Sequence, residues 1–208
     1  MASPINFPNA SDYAKMLQIP KIAFRDDNLK TLKVKCKRGT QPHLVAGNFA
    51  CVAKGTYPDG SSIALRVFTQ DAGGRGERYQ KISSYLSQRN LSCLVNFNYL
   101  EAEEGILVRG KRFPFVTMEW VEGEIIFSWL KEQCTQQNRD NLAGAVERWG
   151  QLLDELRVNE LAHGDLQQAN VMVTPSNEMK LVDYDCMCVP DLVGERNLET
   201  GVVPYQHP

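Results

Sequence analysis

The sequence predicts an α+β fold in which a strand-rich half of the chain precedes a helix-rich half. In the first half, short β-rich segments are separated by turns, and Pro58-Asp59-Gly60 is a clear example. In the second half, residues 141–158 repeat apolar side chains at helical spacing, which is typical of a long amphipathic helix. With 208 residues, the chain is long enough to form one domain or two small lobes around a sizeable core.

The charge balance gives little reason to expect a polyanionic partner. The net charge is -2 at pH 7, so nucleic acid and anionic membrane surfaces are not favoured. No apolar run approaches the ~20 residues that span a bilayer, and the first residues lack the features of a signal peptide. The six cysteines form neither a zinc pattern nor a disulfide framework. We therefore expect a reduced, cytoplasmic protein with no nucleic-acid or membrane partner; the sequence predicts no oligomeric state.

Residues 1–35 are predicted to form an extension ahead of the main fold. A short helix is expected from Asp12 to Leu17. Ser11 is a suitable N-cap for it, and Pro20 would end the segment.

Three strands are predicted next. Residues 44–55 indicate a strand, a turn and a second strand, and Ser62 to Phe68 indicate a third. Strands so closely spaced are typical of an antiparallel meander.

One helix and further strands are expected next, and the sheet is predicted to have five strands. The helix is expected from Glu77 to Gln88 because four of its residues share one face: Tyr79, Ile82, Tyr85 and Leu86. Residues 94–100 and 105–109 suggest a hairpin, and Phe113 to Trp120 predict a strongly apolar strand.

A hinge is predicted at Val121-Glu122-Gly123, before the helix-rich half. The strongest helix of the chain is expected from Asn141 to Val158. Its apolar residues are expected to share one face: Leu142, Val146, Trp149, Leu153 and Leu156.

Three polar residues have the spacing that phosphoryl transfer from a metal nucleotide needs. Asp165 and Asn170 are five residues apart, and Asp183 follows behind an apolar strand. In such a set, one carboxylate orients the attacking hydroxyl and accepts its proton. An amide oxygen and a second carboxylate bind Mg²⁺, which prefers hard oxygen donors. The strand and the preceding helix make this signal much stronger than the residues around Asp165 alone.

This order of elements and motifs resembles a protein kinase domain. More narrowly, it is similar to bacterial kinase-like proteins with a D-Y-D-G-M-x-V-P-x-L segment and a Y-Q-H-P sequence, which correspond here to residues 183–192 and 205–208. The match runs from about Phe7 to the last residue. The resemblance implies a two-lobed α+β fold, with a five-stranded antiparallel N-lobe that carries one helix and the first part of a mainly helical C-lobe.

The resemblance implies a role for each of the three polar residues. Asp165 would be the catalytic base, and Asn170 and Asp183 would be the Mg²⁺ ligands of an ATP site. His163 is expected to brace the loop rather than to take part in the chemistry.

The resemblance also implies an adenine-binding pocket. Val52 and Ala64 would form its roof, Met172 its floor, and Met118 would take the gatekeeper position. The backbone groups of Glu119 and Val121 would bind the edge of the adenine.

The glycine-rich loop of the kinase pattern retains one glycine. Against G-x-G-x-x-G-x-V, the chain has Val45, Gly47, Ala50 and Val52. Gly47 would let backbone N–H groups approach a phosphate without a Cβ clash. Without the downstream motifs, the same residues would indicate an ordinary hairpin turn.

The usual lysine of the third strand is replaced by Arg66. An arginine still offers a positive charge to the α- and β-phosphates, but it is planar and longer, so the exchange is not conservative. The alternative is a solvated charge on a strand. Ile82 occupies the usual place of the partnering glutamate. Glu77 is the only acid of that helix, and it could serve as the partner if the helix starts differently. The usual Lys–Glu ion pair is therefore not expected at its usual spacing.

Two further positions depart from the kinase pattern. Gln167 stands where protein kinases usually have a lysine, and together with the H-G-D sequence it is similar to small-molecule kinases of the same fold. Asp185 replaces the glycine of D-F-G, which is expected to stiffen the turn. We expect its side chain to be solvated, with a carboxylate near the metal as the alternative.

Residues 201–208 resemble the end of an activation segment, in which Thr200 is the available phosphorylation site. We therefore expect a fragment: an extension (1–35), an N-lobe (36–121) and a partial C-lobe (122–208).

Three functions are consistent with these residues. The first is an ATP- and Mg²⁺-dependent kinase of serine and threonine hydroxyls, with protein as the expected substrate. The second is a pseudokinase that binds nucleotide or serves as a scaffold, which Arg66 and the eroded glycine loop favour. The third is a small-molecule kinase.

Overall fold

A computed structural model of the chain describes residues 6–37, 39, 41–47, 49–70 and 73–196. The α-helices are α1 (Ala10–Met16), α2 (Pro20–Ala23), α3 (Arg75–Leu86), α4 (Ile126–Thr135) and α5 (Arg139–Val158). The strands are β1 (Lys33–Val34), β2 (Cys36–Lys37), β3 (Gln41–Pro42), β4 (Leu44–Ala46), β5 (Ala50–Thr56), β6 (Ser62–Phe68), β7 (Phe97–Leu100), β8 (Ile106–Val108), β9 (Lys111–Phe113), β10 (Phe115–Glu119), β11 (Glu124–Ile125), β12 (Val171–Val173) and β13 (Met179–Leu181).

The chain forms two compact units. The first unit contains Met1–Gly76 and Asn96–Trp120, and the second unit contains Glu77–Val95 and Val121–Pro208. Among the described residues, no helix combines the length and the apolar character needed to cross a membrane.

The first unit is built on an antiparallel sheet with the strand order β1-β5-β6-β10-β7, and β4 pairs with β5. The predicted meander is confirmed, since β4, β5 and β6 pair consecutively. The turn between β5 and β6 closes as expected, because Gly60 adopts a φ of 90° and Asp59 accepts a hydrogen bond from the backbone N–H of Ser61 at 2.9 Å. The extension adds β1 as a sixth strand.

The predicted hairpin between residues 94–100 and 105–109 is wrong. In the structure β7 pairs with β10, whereas β8 pairs with β9. Arg109 and Gly110 have φ values of 51° and 76°, and two consecutive left-handed residues favour a tight hairpin turn. The chain therefore reverses after Val108, within the segment predicted as a strand.

The extension packs against one face of this sheet. Its helix α1 is capped by Asn9 and Asp12 in a reciprocal capping box rather than by Ser11. The hydroxyl of Tyr13, which is fully buried, donates to the carbonyl of Phe68 at 2.7 Å. The core shared by the extension and the sheet contains Tyr13, Leu17, Ala23, Phe24, Leu29, Leu32, Cys51, Ala53, Leu65, Val67, Ile106, Val108, Phe113 and Phe115.

The second unit contains α4, α5 and a three-stranded sheet of order β11-β12-β13. Helix α5 begins after Asn138, whose side chain accepts from the backbone N–H of Asn141 at 3.1 Å. The predicted face of this helix is partly wrong, because Val146 is 73% exposed and Leu153 is 41% exposed. A neighbouring stripe is buried instead: Ala145, Leu152 and Leu156.

Candidate active site

The β12–β13 hairpin brings two of the predicted site residues together. Val171 is opposite Leu181, and the backbone N–H of Val182 donates to the carbonyl of Asn170 at 3.0 Å. Asn170 precedes one strand and Asp183 follows the other, so both lie at the same end of the antiparallel pair. Their spacing in the sequence is thus explained by the length of one hairpin.

A hydrogen-bond network holds Asp165 beside Asn170. The Nδ2 atom of Asn170 donates to the backbone carbonyl of Asp165 at 2.9 Å and to its Oδ2 atom at 2.8 Å. Because Asn170 is buried and its amide N–H groups point to Asp165, its Oδ1 atom remains as the acceptor of the side chain.

Gln167 has a role that the sequence did not predict. Its Nε2 atom donates to Oδ2 of Asp165 at 2.7 Å. In the kinase pattern this position usually carries a lysine, so the sequence indicated only the loss of a positive charge there. In the structure Gln167 orients the carboxylate of Asp165, and the H-x-D-x-Q spacing is the signal from which this contact could have been inferred.

His163 is placed to brace the loop. Its ring is 1% exposed, and its Nε2 atom lies 3.0 Å from the carbonyl of Val182. Burial lowers the pKa of His163 below its ordinary value of 6.5, so the imidazole is neutral at pH 7. The edge of the ring meets Tyr184, with centroids 6.2 Å apart. These contacts support the bracing interpretation.

Asp183 has a backbone conformation that few side chains adopt. Its φ is 70°, in the left-handed region. The next residue is tightly held, because the hydroxyl of Tyr184 donates to the carbonyl of Leu181 at 2.9 Å and accepts from the N–H of Val95 at 2.8 Å. Non-glycine residues with positive φ occur in turns as well as at functional sites, so Asp183 is a candidate because of its carboxylate and its place beside Asn170, and not because of its φ alone.

The oxygen donors of this site fit Mg²⁺. Asn170 presents an amide oxygen, since its nitrogen is engaged with Asp165, and Asp183 supplies a carboxylate at the same end of the hairpin. Mg²⁺ in nucleotide sites is usually held by one or two such protein groups together with phosphate oxygens and water. Two hard donors are therefore a sufficient protein contribution.

The first unit places four predicted nucleotide-binding residues on one face of its sheet. Val52 is opposite Arg66, and Met118 is opposite Ala64. Residues directly opposite each other share a face, and so do residues two apart in a strand. This face is the reverse of the one that the extension covers, because Leu65 lies between Ala64 and Arg66 in β6 and belongs to the covered core.

Gly47 lies in the turn between β4 and β5, where its N–H donates to the carbonyl of Ala50 at 2.8 Å. Asn48 lies outside the described residues. A Cβ atom added at Gly47 would lie 3.4 Å from the oxygen of Ala50, which is an ordinary contact. The turn itself therefore does not require glycine at this position.

The backbone of Glu119 is partly used by the sheet. Its N–H donates to the carbonyl of Asn96 at 2.9 Å, so only its carbonyl could take part in binding an adenine edge. Val121 and Met172 belong to the second unit and are both partly buried. Met172 is opposite Lys180 in β12 and β13.

The expectation that Asp185 is solvated is wrong. Its side chain is 2% exposed, and the hydroxyl of Tyr79 donates to its Oδ1 atom. Ile82 is fully buried and Glu77 is exposed on the first turn of α3. Helix α3 thus presents a tyrosine, not a glutamate, to a buried polar partner in its own unit.

Gly164 is required by the close approach of another backbone. Its φ is 76°, and a Cβ atom there would lie 2.1 Å from the carbonyl oxygen of Cys186. We expect Gly164→Ala to destabilise the fold by at least about 3 kcal/mol, since left-handed strain and overpacking add. Thermal unfolding should show a Tm lower by roughly 6–12 °C.

A matched control for Gly164 is Gly150→Ala in α5, where nothing lies within 4 Å of an added Cβ atom. This change should stabilise the protein by about 0.5–1 kcal/mol. An unchanged Tm for Gly164→Ala would mean that the loop and the Cys186 carbonyl are not in contact in solution.

The sheet of the first unit and the loop of the second unit define an α+β fold of the protein kinase-like class.

The predictions for the end of the activation segment, Thr200 and residues 201–208, lie outside the described residues.

Comparison with known proteins agrees with this class. No protein-family model matches the chain. It is 28% identical over 145 residues to cysteine-rich receptor-like protein kinase 5 of Arabidopsis thaliana, covering 68% of this chain and 21% of that protein. It is 26% identical over 163 residues to serine/threonine-protein kinase dst2 of Dictyostelium discoideum, covering 78% and 14% respectively.

A third relative is a putative cyclin-dependent serine/threonine-protein kinase of Dictyostelium discoideum, 28% identical over 177 residues, with 81% of this chain and 23% of that protein covered. The chain is therefore a kinase-like domain, similar to protein kinases at low identity. It spans less than a quarter of the length of each of these three relatives.

Proposed function

We propose that the chain is an ATP- and Mg²⁺-dependent kinase domain that transfers the γ-phosphoryl group to serine or threonine hydroxyls of a protein substrate. The observation that carries this proposal is the hydrogen-bonded pair of Asp165 and Asn170, with Asp183 at the same end of the β12–β13 hairpin. Residues 36–121 and 122–208 would be the two lobes, and residues 1–35 an extension. Six free thiols support a reducing, cytoplasmic location.

In this mechanism Asp165 orients the attacking hydroxyl and accepts its proton. Gln167 and Asn170 hold the carboxylate through its Oδ2 atom, and Oδ1 would face the hydroxyl. The Oδ1 atom of Asn170 and the carboxylate of Asp183 would hold Mg²⁺, which when bound neutralises charge on the phosphates. Arg66 would contact the α- and β-phosphates.

Arg66 provides a separate test of the nucleotide site. Arg66→Lys should retain or raise the affinity for ATP, since the positive charge remains. Arg66→Met should lower it about 10- to 100-fold, since hydrogen bonds to a charged group contribute about 1.5–3 kcal/mol. Binding of a fluorescent ATP analogue would measure both changes.

Arg157→Met is the matched control, because that side chain is 77% exposed on α5 and pairs with Asp154. It should leave the affinity unchanged. A collapse of affinity in Arg66→Lys, with the fold intact, would show that the guanidinium has a role that a lysine cannot fill.

The experiment that tests the proposed function is γ-phosphoryl transfer from labelled ATP with Mg²⁺. Acceptors would be the chain itself, a generic protein substrate and a panel of small hydroxyl compounds. Transfer to protein serine or threonine supports the proposal. Transfer to the small compounds alone would support a small-molecule kinase, which Gln167 and Gly164 favour. Mg²⁺-dependent ATP binding without transfer would support a pseudokinase, which Arg66 favours.

A further inference from the structure

Asp185 lies two residues after the candidate metal ligand Asp183, and its carboxylate is buried. An ionised carboxylate is costly to bury unless donors surround it. One donor is the hydroxyl of Tyr79 in α3, which is itself 1% exposed. The contact joins residues 106 positions apart in the sequence, so it ties the segment after Asp183 to a helix of the same unit.

Arg78, the neighbour of Tyr79, binds the backbone of the same segment. Its Nε atom donates to the carbonyl of Asp185 at 3.1 Å, and its Nη2 atom donates to the carbonyls of Cys186 and Met187 at 3.3 and 2.7 Å. The arginine is 3% exposed. Hydrogen bonds from an ionised donor are stronger than neutral ones, so three successive carbonyls are fixed by one side chain.

The loop that carries Asp165 contacts the same segment. Gly164 approaches the carbonyl of Cys186 so closely that no side chain fits. Residues 185–187 are therefore in contact with α3 through Arg78 and Tyr79, and with the loop through Gly164.

We infer that Tyr79, Arg78 and Asp185 form a clamp that holds Asp183 in its metal-binding backbone conformation, with Asp185 as a positioning residue. The inference rests on the proposed function. A φ of 70° at Asp183 costs about 1–3 kcal/mol and persists only where the surroundings determine it. The clamp provides this constraint, because it fixes the backbone from Asp185 onward. Tyr184, which lies between Asp183 and Asp185, is held by its own hydrogen bonds.

The test removes one hydroxyl. Tyr79→Phe keeps the ring in place but deletes the donor to Asp185. Two readouts are taken on the full chain: hydrogen–deuterium exchange of residues 184–188, and the Mg²⁺ concentration that gives half of the ATP-induced rise in Tm. We expect exchange to become at least about fivefold faster and the Mg²⁺ midpoint to rise about five- to tenfold, as loss of one hydrogen bond predicts. At saturating Mg²⁺ the affinity for ATP should stay within about twofold.

Tyr85→Phe is the matched control. It removes a tyrosine hydroxyl from the same helix, where it donates to the carbonyl of Asn159 at 3.0 Å. Neither readout should change. Asp185→Ala should raise the Mg²⁺ midpoint at least as much as Tyr79→Phe, and the double variant should equal Asp185→Ala, because the Tyr79 hydroxyl acts through Asp185.

The outcomes separate the inference from the proposed function. A wild-type chain that responds to Mg²⁺ and ATP, with Tyr79→Phe indistinguishable from it in both readouts, would overturn the clamp alone. A wild-type chain that shows no Mg²⁺-dependent response to ATP would overturn the proposed function, and the metal-positioning role of Asp185 with it.

Discussion

Asp165→Asn should slow γ-phosphoryl transfer by about 10²–10⁴-fold, the usual contribution of a general base. The side chains have nearly the same shape, so the contacts from Gln167 and Asn170 can be kept in part. An amide cannot accept the proton of the attacking hydroxyl, whereas ATP binding does not require that proton transfer. The measurement is the rate of transfer from labelled ATP at saturating Mg²⁺, with ATP affinity determined in parallel.

Asp154→Asn is the control for this change. Its carboxylate lies on α5, and the side chain is 71% exposed, so transfer should be unaffected. Equal rates for Asp165→Asn and the wild type would exclude Asp165 as the base. A loss of ATP affinity in parallel with the rate would indicate a structural effect instead.

Asp183→Ala should abolish the Mg²⁺-dependent stabilisation of the protein by ATP. At an ATP concentration about 100 times its Kd, binding stabilises the wild type by about 2.7 kcal/mol. For a chain of this size each kcal/mol corresponds to roughly 2–4 °C in Tm, so several degrees should be lost. The physical reason is the removal of one of the two protein oxygen groups proposed to hold the ion.

Asp183→Asn makes this prediction sharper, because asparagine tolerates the left-handed conformation of residue 183 but lacks the negative charge. It should also weaken the Mg²⁺ dependence while keeping the unfolding temperature of the ligand-free protein. Asp191→Asn, an exposed position in the same segment, is the matched control. An unchanged Mg²⁺ dependence in both Asp183 variants would contradict the metal assignment.

The core of the candidate site could be predicted because it is local in the sequence. Asp165 and Asn170 lie within one loop, and a single hairpin brings Asn170 and Asp183 together. The fold class could be predicted for a similar reason, because its strands are signalled by contiguous residues. Strand β6, for example, matches the expected strand Ser62 to Phe68, and the turn before it and its apolar residues are adjacent in the sequence. The proposed chemical roles of the site residues stay predictions.

The contacts of Asp185 could not be predicted, because nothing in its local sequence points to a tyrosine 106 positions away. Isolated acidic residues in turns are usually solvated. The prediction of the buried face of α5 was partly wrong for another reason. The helix has two overlapping apolar stripes that share Leu156, and which of them is buried depends on neighbouring elements such as α4 and β13. Periodicity fixes the helix but not its rotation.

The packing of the extension has a consequence for how the protein folds during synthesis. Tyr13 and Phe24 belong to the same core as Phe113 and Phe115, so the first unit cannot be completed until roughly a hundred more residues have been made. At about 5–20 residues per second, the apolar side of α1 stays uncovered for roughly 5–20 s. Contacts so distant in sequence also slow folding. Nascent chains of this protein should therefore depend on chaperones more than chains whose first helices pack locally.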